Sequence, residues 1–181
     1  VVSLPVAICY GIRATVLPQI SKSISNKNLT LARKHTFQAL SLSLFFACVM
    51  GFGLFVFGGF ITKILFNSLS QSEKLLTAKL ISLSFFSVIG LSLLQTCTSC
   101  LVGYNKPLIP CIFLAIGLIF KFTMQIFLVK NPKINVFGVL YSDISCYFLA
   151  VFLDLLYIIF ITKLEEKKND DYPRRAWCKS R

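Results

Sequence analysis

Long apolar runs separated by short polar segments dominate the chain, and the polar segments are rich in lysine, serine and asparagine. A bilayer core of about 30 Å requires about 20 apolar residues in a helix. Four runs meet that length, and a fifth, at the N-terminal end, is shorter. The pattern predicts helix A over 1–17, helix B over 37–66, helix C over 75–104, helix D over 107–129 and helix E over 134–162.

The composition, taken together with this pattern, predicts the fold class. Hydrophobic residues make up 56% of the 181 residues and charged residues 14%, whereas a soluble domain carries about 25% charged residues. Eighteen phenylalanines are easier to place against lipid than against water. The prediction is an all-α polytopic transmembrane bundle of about five spans over 1–162, with a basic tail over 163–181 that is disordered or lies at the surface.

The first residue is not methionine and already lies inside an apolar run. We therefore expect a fragment whose first helix is truncated and whose upstream portion is missing.

Lysine and arginine residues give the orientation, because they concentrate on the cytoplasmic side of membrane proteins. The helices alternate in direction, so loop 19–36, the link between helices C and D, and the tail share one side. That side carries Lys22, Lys27, Arg33, Lys34, Lys106, Lys163, Lys167, Lys168, Arg174, Arg175, Lys179 and Arg181, against Lys63, Lys74, Lys79, Lys130 and Lys133 on the other. We predict a multi-pass membrane protein with loop 19–36 and the tail in the cytoplasm.

Other classes of function find little support. The net charge of +12 would suit nucleic acid, but the basic residues lie between apolar runs, so no nucleic-acid partner is predicted. Cys97 and Cys100 form a C-x-x-C inside an apolar run without a second pair, which favours helix packing over metal or redox chemistry. His35, the only histidine, lies in the basic loop. We predict no enzyme, no catalytic residue, no metal and no cofactor.

Charged residues at membrane depth are costly and are therefore candidates for function. Lys121 lies nine residues before Lys130, which places it about 13 Å deep in helix D. Asp143 lies ten residues after Lys133, at a similar depth on the next, antiparallel helix. We predict a Lys121–Asp143 ion pair, which either fixes the hairpin or takes part in binding or gating.

Two further charges lie in apolar runs. Arg13 precedes Pro18 by five residues, so it either snorkels to lipid headgroups or faces a cavity that receives an anionic substrate. Pro18 is predicted to end helix A. Asp154 lies eleven residues after Asp143, about three turns, so the two share a helix face with Tyr147 between them.

Neutral polar residues follow helical spacing in helices C and D. Gly117, Lys121 and Gln125 form one stripe, and Gln95 lies in helix C among serines. We predict Lys121, Arg13, Gln95, Asp143 and Gln125 as substrate-pathway residues. For the serines, hydrogen bonding between helices is the favoured interpretation; they are Ser84, Ser87, Ser92 and Ser99. Ala47 and Gly51 suggest close packing of helix B.

Three segments resemble a known family of transporters. "VLPQISKS" with its basic loop resembles the exit of the eighth helix in the stage V sporulation protein B and lipid II flippase group. "SCLVGYNKPLIP" resembles that group's link between the tenth and eleventh helices, and "IGLIFKFTMQIFLVKNPKINVFG" its eleventh helix and the start of the twelfth. The group belongs to the multidrug/oligosaccharidyl-lipid/polysaccharide exporter superfamily. The matching positions are Pro18, Ser21, Arg33, Gly103, Lys106, Pro110 and Gly138.

The resemblance implies two six-helix lobes that alternate access to a central cavity. This chain would supply helices eight to twelve of the second lobe, and its partner would be the missing N-terminal lobe. The implied function is flipping or export of a lipid-linked cell-wall precursor or polysaccharide unit. The implied substrate is a lipid-linked oligosaccharide on an undecaprenyl-type carrier, and the protein would also contact membrane lipids. The location that the resemblance implies is the bacterial plasma membrane.

Two alternatives remain open. A drug or cation antiporter of the same superfamily would rely on acidic cavity residues such as Asp143 and Asp154. A membrane scaffold for cell-wall or spore-cortex synthesis would instead bind partner proteins through its loop and tail.

Overall fold

The computed structural model describes residues 3–26, 28–66, 70–130 and 135–178. Within these ranges the chain forms five helices: α1 (Ser3–Ser25), α2 (Leu29–Leu65), α3 (Gln71–Gly103), α4 (Leu108–Val129) and α5 (Asn135–Cys178). Among the described residues, four stretches are long and apolar enough to cross a membrane: Leu29–Ile64, Gln71–Gly103, Leu108–Val129 and Val136–Lys163. The predicted all-α membrane bundle is confirmed. The predicted starts of helices A and E, at Val1 and Ile134, lie outside the described residues. So do four of the basic residues that were used to predict the orientation: Lys27, Lys133, Lys179 and Arg181.

The predicted loop over 19–36 is mostly helical. α1 continues to Ser25, and α2 begins at Leu29. Asn28 caps α2 and so fixes where this helix begins. The Asn28 side chain accepts hydrogen bonds from the Leu31 amide at 3.3 Å and from the Thr30 hydroxyl at 2.9 Å. Such a cap satisfies an otherwise unpaired donor at a helix start, and it allows the polar segment before Phe37 to extend α2.

Pro18 lies inside α1 and does not end it, so that prediction is wrong. Proline removes one backbone donor from a helix, but packing holds the turn that follows. Ile20 is fully buried and lies against Gly103 of α3. Ser23 is also buried, and its hydroxyl donates to the Gln19 carbonyl at 2.8 Å. These contacts stabilise α1 beyond the proline.

The polar tail continues α5 as a helix as far as Cys178. The state predicted for the tail, disordered or at the surface, stays a prediction. The segment between Thr162 and Pro173 contains no glycine or proline that would interrupt the helix, so α5 extends past its apolar part.

α3 lies at the centre of the bundle and packs against α1, α2 and α5, whereas α4 packs almost entirely on α5. The core contains Leu94, Cys97, Cys100 and Leu101 of α3. α2 presents a buried stripe of mostly small side chains at spacings of three and four: Ala32, Thr36, Ala39, Ser43, Ala47, Gly51, Leu54, Gly58 and Thr62. Small residues let membrane helices approach closely.

Phenylalanines cover the outer face of α2. Phe37, Phe45, Phe52 and Phe60 expose between 61% and 73% of their surface. An exposed apolar face of this extent marks contact with lipid or protein. It agrees with the prediction that the phenylalanines face lipid.

Five helix segments meet at one end of the bundle, which we call the basic end. It carries Lys22, Arg33, Lys34, Lys106 and Lys163. Ile20 of α1 contacts Gly103 of α3, and the hydroxyls of Thr36 and Tyr104, on α2 and at the end of α3, lie 3.3 Å apart. A cavity joins Arg33 and Lys34 to Lys163. The three basic segments thus share one end of the bundle, and the cytoplasmic location of that end stays a prediction.

Candidate substrate-pathway site

Two glycines bring α4 and α5 together. A Cβ atom at Gly117 would lie 3.2 Å from the Cys146 sulfur and 3.3 Å from its carbonyl oxygen. A Cβ atom at Gly138 would lie 2.9 Å from Leu128 Cβ. Only residues without side chains allow backbones this close, and the two contacts fix an antiparallel register.

The register places Lys121 opposite Asp143, between the two glycine contacts. Lys121 Nζ lies 2.5 Å from Asp143 Oδ1, and the two side chains are 25% and 24% exposed. This ion pair is the one predicted from the sequence. The pair is not sealed inside the described bundle, because both side chains keep part of their surface exposed.

Polar groups extend the site along both helices. Gln125 is half-buried one turn after Lys121, and Tyr147 is half-buried one turn after Asp143. Tyr147 also lies against α3, since a Cβ atom at Gly90 would be 3.0 Å from Tyr147 Cβ. The hairpin is therefore anchored to the central helix next to its ion pair.

The other two predicted pathway residues lie elsewhere. Arg13 is half-buried on α1, and the described part of α1 contacts neither α4 nor α5, so the structure does not bring Arg13 to Lys121. Gln95 is half-buried on α3, and its Oε1 is buried without a hydrogen-bond partner among the described residues. The pathway roles of both stay predictions.

Asp154 is the most enclosed charged side chain among the described residues, with no exposed surface. Neither carboxylate oxygen has a hydrogen-bond partner within the described ranges. A buried polar group without a partner is costly. Asp154 is therefore either a candidate functional residue or a residue whose burial lowers the stability of the protein.

The serines of α3 differ from their prediction. Ser84 donates to the Leu80 carbonyl at 2.9 Å and Ser99 to the Gln95 carbonyl at 2.8 Å. Both bonds stay within α3, so hydrogen bonding between helices is the wrong interpretation for these two residues. A serine hydroxyl reaches the carbonyl one turn earlier without help from another helix.

Cys97 and Cys100 are free cysteines and have no exposed surface. Their predicted role in helix packing is confirmed. No group of three or more metal-ligating side chains occurs in the part of the chain that was described.

The end of α3 explains several family-motif positions. A Cβ atom at Gly103 would lie 2.9 Å from Ile20 Cγ2, so glycine is needed where α1 crosses α3. Asn105 adopts a φ of 60°, and the Asn105 and Lys106 amides donate to the Val102 and Leu101 carbonyls. This is the Schellman pattern that terminates helices.

The remaining motif positions differ in burial. Pro110 and Gly138 are buried, whereas Pro18, Ser21, Arg33 and Lys106 are exposed. The buried positions have packing roles, and the exposed ones lie at or near the basic end.

The cavity at the basic end was not predicted from the sequence. Lys34 and Lys163 line it together, although the sequence analysis used them only to count charges. In the sequence, Lys34 and Lys163 show only that they lie at similar distances from the neighbouring apolar runs. This distance does not reveal that α2 and α5 diverge there.

Comparison with known proteins agrees with these features. A model of the lipid II flippase MurJ family matches residues 1–165. No curated protein and no solved structure gives a significant match to the chain. The family match covers α1 to α4 and α5 as far as residue 165, including the Lys121–Asp143 hairpin and the Gly103 crossing. The chain belongs to the lipid II flippase MurJ family.

Proposed function

We propose that the chain forms most of the second helical lobe of a flippase that moves a lipid-linked cell-wall precursor across the plasma membrane. Family membership supports the reaction class. The Lys121–Asp143 pair is the observation that carries the assignment of the pathway, because it places a cation inside an apolar hairpin while leaving it partly accessible.

Lys121 is proposed to bind the anionic pyrophosphate of the substrate. An ammonium and a phosphate interact more strongly inside a membrane protein than in water, because the effective dielectric constant is lower. Asp143 holds the ammonium between substrates and prevents an unpaired charge at membrane depth. Exchange between the carboxylate and the substrate would let the headgroup enter and leave without trapping it.

Neutral groups complete the proposed pathway. Gln125 on the next turn offers amide hydrogen bonds to a glycan, whereas the pathway role of Gln95, which lies away from the pair on α3, stays a prediction. The rocking of the two lobes about this region would expose it to each side in turn. The reaction breaks no covalent bond, so the proposal needs no nucleophile.

The experiment is a flipping assay in proteoliposomes. The protein is expressed from its native start codon, so that any residues before Val1 are included. The native protein should flip a fluorescent lipid II analogue. Lys121→Ala should slow flipping about 10- to 100-fold, because a hydrogen bond to a charged group is worth about 1.5–3 kcal/mol.

Lys130→Ala is the matched control, since Lys130 is an exposed lysine at the end of the same helix. It should flip at the native rate, and Asp143→Asn should have a smaller effect than Lys121→Ala. Unchanged flipping by Lys121→Ala at equal expression would leave the pair with a structural role only. Absence of flipping by the native protein would contradict the proposed function itself.

A cation-coupled antiporter of the same superfamily is the second candidate, and Asp154 is the observation that favours it. Its buried carboxylate, without a partner among the described residues, is a suitable carrier of a proton or small cation. Drug efflux driven by an imposed cation gradient, lost in Asp154→Asn, would support this candidate. Lipid flipping that is unaffected by Asp154→Asn would count against it.

A further inference from the structure

A cleft opens at the basic end between the first turns of α2 and the part of α5 that ends at Lys163. Its volume is about 630 Å³, within the range of about 300–1,000 Å³ that is common for ligand sites. α2 and α5 contact each other at few positions. Packing between these two helices therefore leaves the space unfilled.

The lining of the cleft changes from cationic to apolar with depth. Lys34 and Lys163 lie at its mouth and are exposed. Neither forms a salt bridge with a carboxylate that the structure describes. Leu40, Leu155 and Ile158 line the part further from the helix ends. A molecule that fills the cleft therefore needs an anionic head and an apolar chain.

Other groups at the mouth of the cleft would also favour an anionic ligand. Arg33 contributes a third cation, and Thr30 and Thr162 contribute hydroxyls. None of the described lining residues carries a negative charge. The N-terminus of α2 adds the partial positive charge of a helix dipole.

We propose that this cleft binds an anionic phospholipid of the surrounding membrane, with its phosphate between Lys34 and Lys163. The acyl chain lies along Leu40, Leu155 and Ile158. Basic pockets between membrane helices on the cytoplasmic side bind anionic lipid headgroups, and the predicted orientation of this protein places the basic end on that side.

The cleft is distinct from the proposed substrate pathway. Lys163 follows Asp143 by 20 residues on α5, a separation of about 30 Å along a helix. The bound lipid would be a resident component that stabilises the contact between α2 and α5. Loss of this lipid and loss of substrate flipping are separately measurable.

The test is native mass spectrometry of the full chain in a neutral detergent. The detergent solution is titrated with phosphatidylglycerol or with phosphatidylcholine. The native chain should retain phosphatidylglycerol in preference to phosphatidylcholine. The Lys34→Gln/Lys163→Gln variant should bind phosphatidylglycerol roughly 10- to 30-fold more weakly. Each of the two lysines attracts the anionic headgroup, so removing each of them lowers the affinity by a few-fold.

Two variants make the test specific. Lys22→Gln/Lys106→Gln removes the same charge from the basic end but outside the cleft lining, and it should bind phosphatidylglycerol as the native chain does. Ile158→Trp fills the apolar part without changing the charge and should also weaken binding. Equal melting temperatures in phosphatidylcholine would show that a loss of binding is not a loss of folding.

Three results would overturn the proposal. Equal losses in the cleft variant and the Lys22→Gln/Lys106→Gln control would mean that diffuse charge attracts the lipid. Displacement of phosphatidylglycerol by inorganic phosphate alone would mean that the cleft is a phosphate site. Preferential displacement by lipid II would assign the cleft to the transported substrate.

Discussion

Two neighbouring glycines of α2 provide a direct test of helix packing. A Cβ atom at Gly58 would lie 3.0 Å from Ser82 Oγ, 3.3 Å from Ile81 Cγ2 and 3.4 Å from the Ala78 carbonyl oxygen. At Gly59 it would have no neighbour within 4 Å. Gly58 therefore faces α3 and Gly59 faces outward, although both occupy the same turn.

The magnitudes follow from this difference. Alanine is preferred to glycine inside a helix by about 0.8–1.0 kcal/mol, so Gly59→Ala should stabilise the protein by about that amount. Gly58→Ala gains the same preference, but adding a methyl group to a packed interface costs about 1–3 kcal/mol. The variants should therefore differ by about 1–3 kcal/mol, and this difference isolates the α2–α3 contact because helix propensity cancels.

The assay is thermal unfolding in detergent, followed with a thiol-reactive fluorophore. Cys97, Cys100 and Cys146 are buried and free, so they react when the bundle opens, and the exposed Cys48 and Cys111 are replaced by serine in every variant to remove their signal. A difference of about 1–3 kcal/mol corresponds to roughly 2–12 °C in Tm for a chain of this size. A Gly58→Ala variant that melts at or above the temperature of Gly59→Ala would show that α3 does not pack closely against Gly58.

Three further changes test other parts of the bundle by the same assay. Gly103→Ala should lower Tm, because its methyl group would lie 2.9 Å from Cγ2 of the fully buried Ile20 and overpacking costs about 1–3 kcal/mol. An unchanged Tm would mean that α1 moves away freely. Asp154→Asn should raise Tm, since the amide is less costly to bury than a carboxylate without a described partner; a fall would reveal a partner for the charge. Tyr104→Phe should cost about 0.5–1.5 kcal/mol, because it removes the hydroxyl 3.3 Å from Thr36 Oγ1; no loss would show that the two hydroxyls do not bond.

The membrane spans could be predicted from sequence because length and hydropathy depend on local composition. The Lys121–Asp143 contact was also accessible, since depth along two antiparallel helices is simple arithmetic. The family resemblance rested on spaced motifs such as the one around Gly103. Each of these features is expressed in residues that are close in sequence or joined by one short loop.

Other features depend on tertiary contacts that the sequence does not display. Pro18 appeared to end α1, but Ile20 packs against Gly103 and the helix continues. The serines of α3 had two available acceptors, and Ser99 bonds to its own helix. The cleft between Lys34 and Lys163 arises from the spacing of α2 and α5, which no local pattern encodes.

The most direct test of the central claim is the initial rate of lipid II flipping by the double variant Lys121→Ala/Asp143→Asn, compared with Lys121→Ala alone. The second change removes the carboxylate left unpaired by the first, so stability should recover. If Lys121 binds the substrate, the double variant should remain as slow as Lys121→Ala. A return to the native rate would contradict the account, because the pair would then only hold α4 against α5.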